Sequence, residues 1–186
     1  MQTLLALDQS LFLFLNHLPH GWLGNALGLL LSGAGTAGLV WFALGFLLFL
    51  KEEKKDRWFF APLIAAGGAS WLMAERILKP LIARPRPSAD IGSVILGMDL
   101  NGSYSFPSGH ATIAWAMAVV LSRKEPKWRW IFYLLAILIS FSRIYIGKHF
   151  PLDVVAGGLL GWGIGYISLF VASRFRMLRR TPTDLI

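Results

Sequence analysis

The chain has 186 residues, 55% of them hydrophobic and 15% charged, with a mean hydropathy of +0.58. Soluble domains of this size carry about 25% charged residues, so the composition excludes a disordered chain and argues against an ordinary cytosolic domain. Eighteen lysines and arginines against ten acids give a formal net charge of +8, which, joined to so much apolar residue, points to a membrane surface and not to nucleic acid. The absence of cysteine excludes a disulfide framework and a thiolate metal site.

One membrane-embedded domain over residues 1–186 is expected. The opening segment, 1–20, contains an apolar stretch at 4–18 that holds Asp8 and Asn16. It has no basic leader and no clear cleavage site, which argues against a removable signal peptide. Fifteen helical residues reach about 22 Å, short of a hydrocarbon core of roughly 30 Å. An interfacial or partly inserted helix is therefore expected, with a sixth span as the alternative. Residues 26–50 carry no charge and form the clearest span. A second span is expected over 58–74, closed by Arg57 and by Glu75-Arg76. Residues 79–107, rich in Pro, Gly, Asp and Ser, form the longest loop, and a loop this long in so small a protein suggests function. A third, short span is expected over 109–122, a fourth over 130–142 with an extension past Arg143, and a fifth over 154–173. Gly157, Gly161 and Gly165, like Gly24 and Gly28, recur at helical i, i+4 spacing and are read as faces for close helix packing. The eight tryptophans lie towards span ends, as an interfacial belt would place them.

The loops orient the bundle. If five spans alternate, the segments around 51–57, 123–129 and 174–180 share one face and hold twelve of the eighteen basic residues. By the positive-inside rule that face is cytoplasmic. The other six, Arg76, Lys79, Arg84, Arg86, Arg143 and Lys148, lie at or near the opposite face. Positive charge there works against topology and calls for another purpose.

Three polar segments share that second face: KPLIARPRP at 79–87, SFPSGH at 105–110 and SRIYIGKHFPLD at 142–153. Lys79, Arg86 and Arg143 are cations, and neither of the first two segments holds an acid to neutralise them. Unpaired cations out of water are costly, so an anionic ligand is implied. Arginine's planar fork matches phosphate oxygens two at a time. Ser108 is suited to cap the helix that follows it, Gly109 permits close backbone approach, and the free N–H groups of that helix start favour an anion. Phosphate is the ligand these features suit best.

Two histidines supply chemistry. With a helix beginning near His149, Asp153 would lie over the same face and accept from one ring nitrogen, leaving the other free as a nucleophile. His110 is placed to act as a general acid. A metal held by His110, His149 and Asp153 is disfavoured by the surrounding cations. His17 and His20, flanking Pro19 without acids nearby, are read as interfacial residues.

Together these residues resemble the type 2 phosphatidic acid phosphatase superfamily of membrane lipid phosphatases, whose signature is K-x6-R-P, P-S-G-H and S-R-x5-H-x3-D. The chain matches each part: Lys79 with Arg86-Pro87, Pro107-Ser108-Gly109-His110, and Ser142-Arg143 with His149 and Asp153. The resemblance implies an all-α integral membrane protein of five to six transmembrane helices with a haloperoxidase-like core, set in the cytoplasmic membrane with its site facing the extracytoplasmic side. It implies that His149 is the nucleophile that becomes a phosphohistidine, that Asp153 orients it, and that His110 is the acid for the leaving group. Lys79, Arg86, Ser108, Gly109 and Arg143 would form the phosphate cradle, with no metal or other cofactor needed. The implied partners are a membrane lipid phosphate and the bilayer, with no nucleic acid; oligomeric state is left open. Undecaprenyl diphosphate, phosphatidylglycerophosphate, phosphatidic acid and lipid A phosphates are the candidate substrates. A lipid-to-lipid phosphotransferase and a catalytically silent lipid-phosphate binder are the alternatives. Arg84 and Lys148 fall outside the signature; Arg84 is read as a contact to a second phosphate or headgroup, Lys148 as either a substrate contact or a surface charge.

Overall fold

The computed structural model describes residues 2–51, 58–97 and 104–178. The basic segments at 52–57 and 179–186 thus lie outside the described residues. Among those described, every regular element is helical.

Helix α1 runs over Gln2–Asn16 and buries one stripe, Asp8, Phe12 and Asn16, at four-residue intervals. The first span is a broken rod. Its halves, α2 (Trp22–Gly35) and α3 (Leu39–Lys51), meet at a 3₁₀ turn where Ala37 and Gly38 take positive φ. Helix α4 (Ala61–Trp71) passes through a π-helical stretch, Leu72–Leu78, into the short α5 (Lys79–Ile82). The expected closure of this span at residue 74 is therefore corrected. The rod carries on through Glu75 and Arg76 to Ile82, because Glu75 and Lys79 pair with each other. It stops where Ala83 turns left-handed, with φ of 50°, just before a Pro-rich stretch whose prolines cannot continue a helix.

The core is α6 (Gly109–Lys124), buried along almost its whole length. Met117, Val120 and Leu121 pack there with Trp41, Phe59, Leu63 and Ile139. Trp41 is completely buried, so this tryptophan belongs to the core and not to an interfacial belt. Helix α7 (Arg129–Tyr145) lies on one side of α6. Helix α8 (Pro151–Leu178) also packs on α6, its glycine stripe against it. A Cβ on Gly157 would stand 2.6 Å from the Ser108 carbonyl, and one on Gly165 would stand 2.7 Å from that of Ala116. The small residues thus bring α8 backbone to backbone with α6, as their spacing suggests.

Among the described residues, three helical rods are long and apolar enough to cross a membrane: Trp22–Lys51, Pro126–Tyr145 and Pro151–Phe175. The other two expected spans differ in kind, since α4–α5 carries charge and α6 is a short helix wrapped by its neighbours. Large apolar side chains such as Leu30, Trp130, Leu159 and Phe170 point outward. In water such exposure is unfavourable, whereas against lipid tails it is neutral.

Candidate active site

The site forms where three chain segments meet at one end of the bundle. The first follows α5. Lys79 is buried, and both carboxylate oxygens of Glu75 accept from its Nζ, at 2.7 and 2.8 Å. Neither signature segment supplies an acid, yet one turn upstream Glu75 supplies a carboxylate to Lys79, so the expectation of un-neutralised cations is corrected at this position. The chain then doubles back. Ser105 N–H donates to the Arg84 carbonyl and Ser105 Oγ to the Pro85 carbonyl, at 2.8 and 3.0 Å. These bonds lash the first segment to the second.

The second segment begins α6. Ser108 is its N-cap: the hydroxyl accepts from Ala111 N–H at 3.5 Å, a contact type worth about 1 kcal/mol at a helix start. Ser108 N–H donates to the Asp153 carbonyl at 2.9 Å, tying this cap to α8. The space beside Gly109 Cα holds the Glu75 carboxylate, which a side chain at this position would displace. His110, half-buried, faces the break in the first span, its Nε2 standing 3.4 Å from Thr36 Oγ1. It lies within electrostatic reach of Arg143, His149, Lys79 and Arg86.

The third segment turns from α7 into α8. Arg143, buried near the end of α7, donates to the Ser32 hydroxyl of α2. Gly147 makes the turn with φ of +75°, and a Cβ there would collide with the Val94 carbonyl and stand 3.2 Å from Ile95 Cα. This is a position that only glycine satisfies. His149 is 1% exposed and Asp153 is fully enclosed. Helix α8 starts at Pro151, two residues after His149. One oxygen of Asp153, Oδ2, accepts from Phe150 N–H at 2.8 Å and stands 3.6 Å from His149 Nδ1. At that distance the pair is in electrostatic contact, and His149 Nδ1 makes no hydrogen bond among the described residues.

The other ring nitrogen, His149 Nε2, lies 3.4 Å from Arg86 Nη1, which also donates to the Lys148 carbonyl at 2.9 Å. A guanidinium can only donate, so this contact suits a lone pair on Nε2 and a proton on Nδ1 facing Asp153. Burial first, and then the charges of Arg143, Arg86 and Lys79, hold the His149 imidazole well below the usual histidine range. It is neutral at pH 7. A buried, neutral imidazole with a lone pair on one ring nitrogen has the chemistry a nucleophile needs.

All eight residues singled out from the sequence, Lys79, Arg86, Ser108, Gly109, His110, Arg143, His149 and Asp153, thus gather around these three segments. Arg84 differs from expectation, and of the two readings of Lys148 one is removed. Arg84 does not point to a ligand space: its Nη1 donates to Asp153 Oδ1 and its Nη2 to Asp8 Oδ2, both at 2.6 Å. Lys148 is buried, donating to the Gly97 carbonyl at 3.1 Å, and is not a surface charge. Asp8, Asn16, Ser32, Thr36 and Glu75 were missed as neighbours of the site. Only the 8, 12, 16 spacing in α1, with two polar residues in an apolar stretch, could have drawn notice.

The PAP2 superfamily profile matches residues 58–177. An undecaprenyl-diphosphatase from Sulfolobus acidocaldarius is 36% identical over 150 residues, covering 80% of this chain and 71% of that protein. A lipid A 4'-phosphatase from Porphyromonas gingivalis is 30% identical over 190 residues, covering 94% and 78%. Among solved structures, Aquifex aeolicus LpxE superposes with a TM-score of 0.68 at 32% identity, over 86% of this chain and 93% of its own. A PAP2-type phosphatidylglycerolphosphate phosphatase from Bacillus subtilis has the same fold, with a TM-score of 0.73 at 23% identity over 94% and 88%. The profile spans well over half the chain and takes in all three segments of the site: the protein belongs to the PAP2 superfamily.

Proposed function

We propose that the chain is a metal-independent phosphatase that hydrolyses a membrane lipid phosphate or diphosphate through a phosphohistidine on His149. The observation that carries this reading is the His149 ring, neutral and enclosed, with Nε2 beside Arg86 and Nδ1 facing Asp153. In the first step the Nε2 lone pair forms a bond to phosphorus and the P–O bond to the lipid breaks. His110, taking up a proton as the substrate's phosphate offsets the surrounding cations, delivers it to the departing oxygen. The imidazole then carries a positive charge, its Nδ1 proton held towards Asp153. In the second step His110 takes a proton from water, water oxygen bonds to phosphorus, and the N–P bond breaks to release inorganic phosphate. Lys79, Arg86, Arg143 and the N–H groups at the start of α6 hold the phosphoryl oxygens as charge builds on them.

The excess of basic residues that alternating spans would put on the opposite face supports an extracytoplasmic site in the cytoplasmic membrane. The relatives named for undecaprenyl diphosphate and lipid A support a large membrane lipid as substrate. The test is phosphate release by the purified protein in detergent with EDTA, against undecaprenyl diphosphate, phosphatidylglycerophosphate, phosphatidic acid and lipid A, beside His149→Ala. Release that survives EDTA and disappears in the variant supports the reading, and the order of rates names the substrate class. Release lost with EDTA, or retained by the variant, contradicts it.

A further inference from the structure

We infer that Asp8, on the amino-terminal helix, is a positioning residue for the chemistry at His149, acting through Arg84 and Asp153. The inference rests on the phosphohistidine reading above and adds to it a residue from outside every signature segment.

Arg84 is a fork with one tine in each of two carboxylates: Nη1 to Asp153 Oδ1 and Nη2 to Asp8 Oδ2, both at 2.6 Å. Its guanidinium carbon lies 4.2 Å from the Phe150 ring centroid. Asp8 also accepts from Leu152 N–H at 2.9 Å through Oδ1, in the first turn of the helix that bears Asp153. One carboxylate therefore fixes both the cation that grips Asp153 and the backbone that carries it. Asp8 is 4% exposed and Asp153 0%, so neither charge is screened by water. Phe12, one turn along α1, packs edge-on against Phe150 at 5.1 Å. Asn16, a further turn on, donates to the carbonyls of Ile144 and Tyr145 and pairs with Val94. The buried stripe of α1 is thus directed at the turn that presents His149.

Two physical consequences follow. Arg84 sits two residues from Arg86, so without a second anchor it would be drawn towards an arriving phosphate dianion and release Asp153. Asp8 supplies that anchor. The group Asp8, Arg84 and Asp153 also carries one net negative charge, which balances the imidazolium that forms when Nε2 bonds to phosphorus. Removal of the Asp8 charge leaves the group neutral, and formation of the cationic intermediate becomes less favourable.

The substitution Asp8→Asn separates charge from structure, because an amide oxygen still accepts from Leu152 N–H. Its kcat is expected to fall about ten- to hundredfold, the range for outer partners that orient a reacting imidazole. The inhibition constant for inorganic phosphate, a probe of the cradle alone, is expected to stay within about twofold, and thermal unfolding in detergent within a few degrees. A kcat within about twofold of wild type overturns the inference. So does a loss of kcat that comes with an equal loss of phosphate binding or of folded protein, which marks a purely structural role. Wild-type release that is insensitive to His149→Ala overturns the phosphohistidine reading itself. His149-dependent release with an unimpaired Asp8→Asn overturns the present inference alone.

Discussion

Glu75 holds Lys79 by both carboxylate oxygens, at 2.7 and 2.8 Å, and at the same time fills the space beside Gly109 at the start of α6. Its carboxylate stands among the groups assigned to the phosphate cradle. An incoming phosphate meets it either as a competitor for Lys79 or as a like charge, and both weaken binding. Glu75→Gln is expected to lower the inhibition constant for inorganic phosphate about three- to tenfold, one charge at partly screened range being worth about 1 kcal/mol. Weaker phosphate binding in the variant would show that the carboxylate keeps Lys79 in place and does not compete.

The protonation of His149 is open to direct measurement. Its ring is held neutral by burial and by three cations, so its folded pKa lies below that of a free histidine, about 6.5. Protonation removes the Nε2 lone pair, so nucleophilic competence is full above the folded pKa and is lost only as pH falls through it. In ¹⁵N-histidine spectra of the detergent-solubilised protein, the resonances missing from His149→Ala are expected to show a neutral ring well below pH 6.5. A ring that is protonated at pH 7 contradicts this electrostatic picture.

Arg143 is buried and donates to Ser32 across the bundle. Lysine offers a point charge without the planar fork. Arg143→Lys is expected to lower kcat/KM by at least about tenfold, the loss of roughly one charge-assisted hydrogen bond. A loss under about threefold counts against phosphate contact by this side chain.

Gly147 tests the turn that carries His149. A methyl group there would meet the Val94 carbonyl in a backbone conformation that L residues disfavour. Gly147→Ala is expected to destabilise the protein by about 1–3 kcal/mol, read as a lower midpoint of thermal unfolding in detergent, and to lower activity with it. An unchanged midpoint would mean that the 94–97 segment yields readily.

Much of the site was legible in the sequence because each signature segment sets its own local geometry. A Pro-Ser-Gly run starts a helix, and Pro151 starts another two residues beyond His149, wherever the rest of the chain goes. What was not legible came from contacts over long separations. Arg84 reaches Asp8 across 76 positions, and Leu152 reaches the same carboxylate across 144; no local pattern encodes either. The end of the second span was misplaced for a related reason. Charge normally closes a membrane helix, but Glu75 and Lys79 neutralise each other towards the bundle interior, so the helix continues. The charge of Arg84 suggests a ligand contact, yet two buried carboxylates claim that charge first.

Sidedness is tested with a single thiol, since the chain has no cysteine of its own. Asp90 is exposed in the loop near Ser93. A cysteine placed there by Asp90→Cys is expected to react with an impermeant maleimide added to intact cells. Reaction only after permeabilisation inverts the orientation.

The phosphohistidine is tested most directly by trapping it. Protein mixed with ³²P-labelled lipid phosphate in EDTA and quenched within the first turnover is expected to retain label that survives alkali and is lost in acid, as an N–P bond requires. The label should be absent from His149→Gln. Covalent label that persists in that variant, or hydrolysis with none at any time in the wild type, would contradict the assignment of His149 as the nucleophile.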